Sequence, residues 1–323
     1  MKERVLKALK QYDQVSGEEL AKALGVSRTA VWKYINELRG DGYQIGSSPG
    51  KGYYLMSAPD NLLPEEIKSG LSTKILGQRI EYFREVTSTQ EVARSLAAQG
   101  ANEGTTVIAE VQTKGRGRIE RFWVSPPGGV YFSIILRPGI KPSEALRFPL
   151  IVGVAVTQAI EKLTNLSPRL KWPNDVIIAG RKTAGILTEI SAEMDCINYI
   201  IVGMGINVNT DISLLPAEVR ETATSLKEEY RKEVSRVKLV QGILEELDLL
   251  YEEFKSSGFD PIRLKWKSLS NTIGAWVRVS SGREIIEGEA INIDEDGALF
   301  LRKENGIQER IVAGDVSLRN LRR

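Results

Sequence analysis

Histidine is absent from the 323 residues, and cysteine occurs once, at Cys196. Without histidine there is no Ser-His-Asp or Cys-His nucleophile, no zinc hydrolase site, and few general-base schemes are left. One thiol excludes disulfides within the chain and cysteine-built zinc sites; set between Asp195 and Ile197, it reads as a buried or inert thiol. An enzyme made from the remaining side chains works by positioning and by neutralising charge, a demand that phosphoryl or nucleotidyl transfer fits best. An excess of charge is also missing. Forty-four Lys and Arg face 42 Asp and Glu, a net of +2, so any nucleic-acid surface must be local. Apolar runs such as 151–156 are too short to cross a bilayer, and none follows Met1 to Val5 as a signal peptide would require. A cytoplasmic protein with no membrane partner is expected. Its 42% hydrophobic and 27% charged composition is that of a globular chain, long enough for two or three domains.

Residues 4–12 place Val5, Leu6, Leu9 and Tyr12 on one helical face. Ser16 and Glu19 have capping-box spacing and open a helix over 18–24 that ends at Gly25. Ser27 caps the next, in which Val31, Ile35 and Leu38 repeat at helical spacing. Two short helices joined through a glycine turn describe a helix-turn-helix. A hairpin follows, with Tyr43 to Ile45 going out, Ser47-Ser48-Pro49-Gly50 turning, and Tyr53 to Leu55 returning, which makes the unit a winged helix. Arg28, Thr29, Trp32 and Lys33 lie off the apolar stripe, where they can face a major groove, and Lys51 near the hairpin tip can reach a phosphate. Residues 1–57 carry nine Lys and Arg against six Asp and Glu, a local surplus of three. DNA binding is one reading of this unit; an interaction or dimerisation module is the other. Ser57-Ala58-Pro59-Asp60 reads as a linker, and a new helix begins over 61–66, so the first domain is expected to be 1–60.

The section from 61 to 270 mixes helices and strands. A helix over 90–99 precedes strands at 105–111 and 130–136, a long apolar helix fills 143–163, and strands recur near 168–171, 175–178, 184–190 and 198–204. The loop after the first strand runs from Gln112 to Trp123 and sets Lys114, Arg116, Arg118 and Arg121 within eight residues. Gly115 and Gly117 let its backbone approach a ligand. Guanidinium forks suit phosphate or carboxylate; a solvated basic loop or an RNA-binding arginine-glycine segment would have the same composition. Three further segments stand beside it in the sequence: Lys171-Trp172-Pro173-Asn174-Asp175, Arg181-Lys182 with Gly185-Ile186-Leu187, and Gly203 to Asn209. Lys182 alone reads as an edge-strand lysine. Gly203-Met204-Gly205 fails as a dinucleotide fingerprint because Val208 stands at the third glycine position and no helix follows; no P-loop pattern occurs. The charged run 227–238 reads as a solvated helical stretch.

Taken together, Gly115 to Arg118 with Arg121 and Trp123, Lys171 to Asp175, Arg181-Lys182 with Gly185 to Leu187, and Gly203 to Val208 resemble the biotin–protein ligases. Ser88-Thr89-Gln90 matches that family's Ser-Thr-Asn/Gln signature; Gln90, where Asn is also usual, is the one departure. With the winged helix in front, the chain resembles the bifunctional ligases that also act as biotin operon repressors. The resemblance covers essentially the whole chain. It implies that Ser88, Thr89, Gln90, Gln112 and Gly185 seat biotin, Gln112 through an amide suited to the ureido ring. Arg116, Gly117 and Arg118 would belong to a loop that orders over biotin and its adenylate. Lys182 would meet the biotin carboxylate or the reacting phosphate, so Lys182, Arg118 and Arg116 are the candidate catalytic cations. Trp123 would pack near the ligand, with Arg121, Asn174 and Asn207 in the nucleotide region.

The resemblance further implies ATP, Mg2+ and biotin as reactants, with no metal held by the protein alone. Its implied partners are biotin carboxyl carrier domains, biotin operator DNA and a second copy of the chain. Two other functions stay open: a ligand-responsive transcription factor without catalysis, and a lipoate ligase. Beyond residue 271 the pattern changes to short strands, Trp276 to Val279, a turn at Ser281-Gly282, Ala298 to Leu301, and Ile311-Val312 after the Asn305-Gly306 turn. This reads as a small β-barrel over 271–323, SH3-like by the resemblance. The expected class is a multidomain α+β chain: winged helix-turn-helix, mixed α/β ligase core, C-terminal barrel.

Overall fold

The structure, a computed structural model, describes residues 1–48, 50–193, 196–281 and 284–318, and the chain forms two compact units, Met1–Leu71 and Ser72–Arg323. In the first, α1 (Lys2–Gln11), α2 (Gly17–Leu24) and α3 (Arg28–Gly40) bury Val5, Leu6, Leu9, Leu20, Val31, Ile35 and Leu38 against one another. Each such aliphatic contributes about 1.5–3 kcal/mol. The expected caps form: Ser16 and Glu19 exchange bonds of 3.1 and 2.8 Å, and Ser27 Oγ accepts from Ala30 N at 3.1 Å. Gly25 ends α2 with φ +66°, a conformation other residues adopt at a cost. Strands β1 (Gln44–Ser48) and β2 (Gly52–Ser57) pair antiparallel as the wing; of its expected turn, Pro49 lies outside the described residues. Tyr12 departs from expectation. The helix stops at Gln11, and the ring of Tyr12 is 53% exposed. Helix α4 (Pro64–Ser69) packs on α1, with Lys2–Glu65 at 2.6 Å and Lys10–Glu66 at 2.5 Å, so the first unit runs past the boundary expected near residue 60.

The second unit is built on a seven-stranded sheet of β3 (Ile80–Val86), β4 (Thr106–Gln112), β5 (Val130–Leu136), β6 (Arg169–Lys171), β7 (Asp175–Ile178), β8 (Arg181–Glu193) and β9 (Cys196–Ile206), in the order β3-β4-β5-β9-β8-β7-β6. Only β3 and β4 are parallel, and α5 (Thr89–Ala98) supplies the crossover that a parallel pair needs. The β8–β9 hairpin is longer at both ends than its apolar cores at 184–190 and 198–204. Cys196 opens β9 and is exposed, not buried.

Helix α6 (Phe148–Thr164), entered through a 3-10 turn at Pro142–Arg147, is apolar nearly all round because it lies between this sheet and two later helices. The span Pro142–Thr164 is long and apolar enough by composition to cross a membrane, but two thirds of its apolar 18-residue stretch is buried inside the protein. Then come α7 (Ala217–Arg220), α8 (Leu226–Tyr230), α9 (Arg236–Ser257) and α10 (Asp260–Leu269). The run 227–238 is not a continuous solvated helix: the chain turns left-handed at Arg231 and buries Val234 and Arg236.

The C-terminal strands β10 (Trp276–Ser281), β11 (Glu284–Ile293), β12 (Leu299–Arg302), β13 (Gln308–Ile311) and β14 (Asp315–Leu318) form an antiparallel sheet ordered β13-β12-β11-β10-β14. Among the described residues no ladder joins β13 to β14, so the sheet is open where a closed barrel was expected. Gly282, half of one expected turn, lies outside the described residues, and β14 had no counterpart in the sequence reading. Trp172 Nε1 donates to the Gly297 carbonyl at 3.0 Å and Arg147 meets Asp296 at 3.2 Å, which docks this sheet on the core.

Candidate active site

One cavity collects the segments singled out in the sequence. The space among its lining residues is about 760 Å³, open solvent at its mouth included. Its inner end is polar and buried. Ser88, Thr89 and Gln90 open α5 there, and the 3.6-residue turn sets their side chains beside the strand ends. Gln112 Oε1 accepts from Thr89 N at 2.8 Å and from Thr89 Oγ1 at 3.1 Å, while Gln112 Nε2 donates to Ser125 Oγ at 2.9 Å. Ser133 lies 2.9 Å from Thr89 Oγ1 and donates to Gln90 Oε1 at 3.0 Å, and Gln90 Nε2 reaches the Ile201 carbonyl at 3.2 Å. Ser88 Oγ is fully buried, lines the cavity and has no partner among the described residues. A hydroxyl in that condition is costly unless a ligand satisfies it.

The outer end is cationic. Lys182 Nζ sits 2.6 Å from Asp175 Oδ1 and 5.4 Å from the centre of the Trp123 ring. Its backbone is clamped on both sides, N to Thr222 O at 2.7 Å and O from Thr224 N at 2.9 Å. Arg118 donates to Asn174 Oδ1 at 3.1 Å and to the Gly314 carbonyl at 3.3 Å, with Asp315 at 3.6 Å; burial lowers its pKa, though a guanidinium keeps its proton. Arg121 pairs with Asp315 at 2.5 Å and Arg116 with Glu189 at 2.9 Å. Gly117 N to Arg121 O at 2.7 Å and Trp123 N to Gly115 O at 2.9 Å fold the cationic loop on itself. At its tip Ile119 and Glu120 take φ of 51° and 57° in succession, a left-handed conformation that costs a β-branched residue about 1–2 kcal/mol. The indole of Trp123 lies flat over Gly205 and Gly185, and its Nε1 is buried without a partner among the described residues.

Every residue expected at biotin lines this cavity, as do Arg121 and Asn174 from the nucleotide group. Asn207 does not. It is buried, its Nδ2 donates to Thr224 O at 3.1 Å and its backbone N–H to Thr183 O at 2.8 Å. Sequence reasoning missed Ser133, Glu189 and Asp315. Ser133 had a usable signal, the lone serine in a strand otherwise of aliphatic and aromatic residues; Asp315 had none. Among the described residues no three His, Cys, Asp or Glu cluster as metal ligands. In the first unit Arg28, Thr29 and Trp32 line an open groove with Ser47, Ser48 and Gly50 of the wing. Trp32 is 58% exposed there. Ser27 is spent as the cap of α3, and Lys33 and Lys51 are exposed outside the groove.

Comparison with known proteins gives three consecutive matches: an HTH domain over 2–54, the Biotin/lipoate A/B protein ligase family over 82–207, and the Biotin protein ligase C terminal domain over 272–319. The bifunctional ligase/repressor BirA of Bacillus subtilis is 41% identical over 305 residues, 94% of each chain. That of Escherichia coli is 32% identical over 310 residues, 94% of this chain and 93% of its own. A biotin protein ligase from Aquifex aeolicus, solved in complex with biotin and ATP, superposes with a TM-score of 0.65 at 34% identity, covering 75% of this chain and 99% of that one. The chain belongs to the biotin protein ligase family, and it has the helix-turn-helix head of the family's bifunctional ligase/repressor members.

Proposed function

We propose that the chain is an ATP-dependent, AMP-forming biotin–protein ligase that also represses biotin genes, with biotinyl-5′-adenylate as corepressor. The observation that carries this is the polarity of that cavity: a buried, amide- and hydroxyl-lined inner end beside a cationic outer end. Ser88, Thr89, Gln90, Gln112 and Ser133 offer donors and acceptors to a ureido ring. Lys182, Arg116, Arg118 and Arg121 face the place where a carboxylate and a triphosphate must meet.

In the first step a biotin carboxylate oxygen bonds to the α-phosphorus of ATP, and the bond to pyrophosphate breaks. Two anions are brought together, and the cations oppose their repulsion. Holding the reactants in line contributes roughly 7–11 kcal/mol. In the second step the neutral amine of an acceptor lysine bonds to the acyl carbon, the bond to AMP breaks, and the amine loses a proton to solvent. Pyrophosphate and AMP both leave as anions, so neither step needs a general acid, which agrees with a chain that has no histidine. Mg2+ enters as the nucleotide's counterion. Lys182 and Arg118, now paired with Asp175, Asn174 and Asp315, exchange those partners for the reactants. Trp123, whose Nε1 has no partner among the described residues, covers the adenylate, with Asn174 toward the nucleoside.

A second cavity lined by Trp172, Pro173, Thr188 and Val312 shares Arg118 and Asn174 with the first and gives an acceptor lysine a route in. The acceptor is a biotin carboxyl carrier domain and the DNA partner a biotin operator read by a homodimer in the cytoplasm. The work divides between a DNA-reading head within Met1–Leu71, a ligase core that begins at Ser72, and the C-terminal strands from Trp276, an SH3-like sheet left open between β13 and β14 among the described residues.

Exchange of radiolabelled pyrophosphate into ATP tests the enzymatic half. It should depend on biotin. Exchange driven by lipoate would move the substrate, although a polar inner end disfavours lipoate's apolar ring. No exchange with either acid would leave a regulator without catalysis.

A further inference from the structure

Outside the lining of the cavity lies a buried ion pair. Arg236, the first residue of α9, is only 5% exposed in its side chain; its Nη1 donates to Glu110 Oε2 at 2.6 Å and to the Gly129 carbonyl at 3.1 Å. Glu110 lies on β4 two residues before Gln112, and Gly129 closes the cationic loop just ahead of β5. Tyr82 on β3 hydrogen-bonds the same carboxylate; burial first, then that charge, push its phenol up to about 12.

A second set of bonds meets the first. Asn209, just past β9, donates its backbone N–H to Gly128 O at 2.8 Å, and its side chain exchanges two bonds of 2.9 Å with Val234, two residues before Arg236. Gly128 has φ +91°, and a Cβ there would stand 2.8 Å from Asn209 O, so the two chains touch backbone to backbone. The end of the loop 113–129, the start of the segment 207–225 and the first turn of α9 therefore share one buried anchor.

The chemistry of that anchor is not that of a spacer. A buried ion pair adds little net stability over an apolar pair of the same shape. A guanidinium supplies direction, because the two in-plane N–H bonds of Nη1 point to a carboxylate and a carbonyl at once. The two segments it ties have one thing in common. The first carries Arg116, Arg118, Arg121 and Trp123; the second, through Thr222 and Thr224, clamps the backbone of Lys182.

We propose that Arg236 and Glu110 are positioning residues for the adenylation step, fixing the common root of the cationic loop and of the segment that clamps Lys182. They govern ATP affinity and adenylate retention, while the buried inner end, where Gln112 is held to Thr89 and Ser125 and Ser133 to Gln90, keeps its own bonds. This rests on the ligase reading, so the unaltered protein must first show biotin-dependent pyrophosphate exchange; if it does not, that reading fails and not this one.

The test uses full-length Arg236→Lys, Glu110→Gln, and the double variant Glu110→Leu with Arg236→Met, which restores bulk but not direction. Thermal melts, KM for ATP and for biotin in pyrophosphate exchange, and the rate of adenylate release from a preformed complex are measured well below each Tm. Arg236→Lys and the double variant should raise the ATP KM and adenylate release by roughly 10- to 100-fold, the scale of an ångström's misplacement, with the biotin KM changed less than about threefold. A double variant that regains both Tm and adenylate retention shows a packing role only and overturns the proposal, as does an equal change in both KM values. Should those proteins not fold, Glu110→Gln decides: it should speed release at least about threefold by weakening the charge-assisted bond, and wild-type release in a folded Glu110→Gln protein overturns the proposal.

Discussion

At Gly205 a single missing methyl group decides where an indole can lie. A Cβ built there stands 2.5 Å from Cε2 and Nε1 of Trp123, so Gly205→Ala pushes the ring outward by about 1 Å, while an alanine suits the strand itself. Trp123 borders the cationic end and has Lys182 Nζ over its ring, so the displacement is felt by the reacting groups. The expected result is a loss of roughly 10²-fold in kcat/KM for pyrophosphate exchange, with a thermal melt close to that of the unaltered protein. Full activity in Gly205→Ala would show that the indole's place over this strand is unimportant. Lys182 shows the same dependence on surroundings. By sequence it is an edge-strand lysine; what makes it a candidate catalytic group is the indole on one side, Asp175 on the other and a backbone bonded at both N and O.

Elements whose meaning is local were readable in the sequence, and elements whose meaning is tertiary were not. The capping box at Ser16 and Glu19, the cap at Ser27, the strands at 105–111 and 130–136 and the glycine-spaced cations between them follow from spacing alone, and each stands where it was expected. Tyr12 was misplaced because helical periodicity does not say where a helix stops. The run 227–238 was misread because charged residues are normally solvated, while Arg236 is buried only by virtue of Glu110, far away in sequence. Asp315 gave no signal, since its partners lie in the cationic loop.

Helix α3 makes a prediction at this scale. Arg28 lines the groove beside the wing and Lys33 lies outside it, so the two cations should fail differently. Arg28→Ala should cost about 1–3 kcal/mol on a biotin operator and little on random DNA, as a base contact does. Lys33→Ala should weaken both alike and reduce the salt slope of log K by about 1, as a phosphate contact does. Titrations by fluorescence anisotropy at several salt concentrations separate the two, with biotin transfer as the control that stays unchanged. Wild-type DNA binding in both would return the winged helix to an interaction module.

Across the second unit, the C-terminal sheet reaches the active site through one carboxylate, Asp315, and the Gly314 carbonyl beside it. Asp315 opens β14, the strand with no sequence signal, and holds Arg121 at 2.5 Å and Arg118 at 3.6 Å. The sheet is itself fixed to the core by Trp172 and Arg147, so this contact gives the cationic loop a docking point that the ligase core alone lacks. Its strength is bounded. Arg121 is largely exposed and Asp315 partly so, and pairs of that kind contribute about 0–1 kcal/mol, screened by salt. Asp315→Asn should therefore change adenylate release by no more than about fivefold, and the change should fade as salt rises. Asp315→Lys is a different case, because it sets a fourth cation against Arg116, Arg118 and Arg121 and drives the loop off the sheet. Release of adenylate should then rise well beyond the Asp315→Asn value at low salt and fall back toward it at high salt, while a thermal melt shows the sheet still folded. Equal release from the two variants at every ionic strength would mean that the loop closes without the C-terminal sheet, and that the 2.5 Å pair in this structure is incidental.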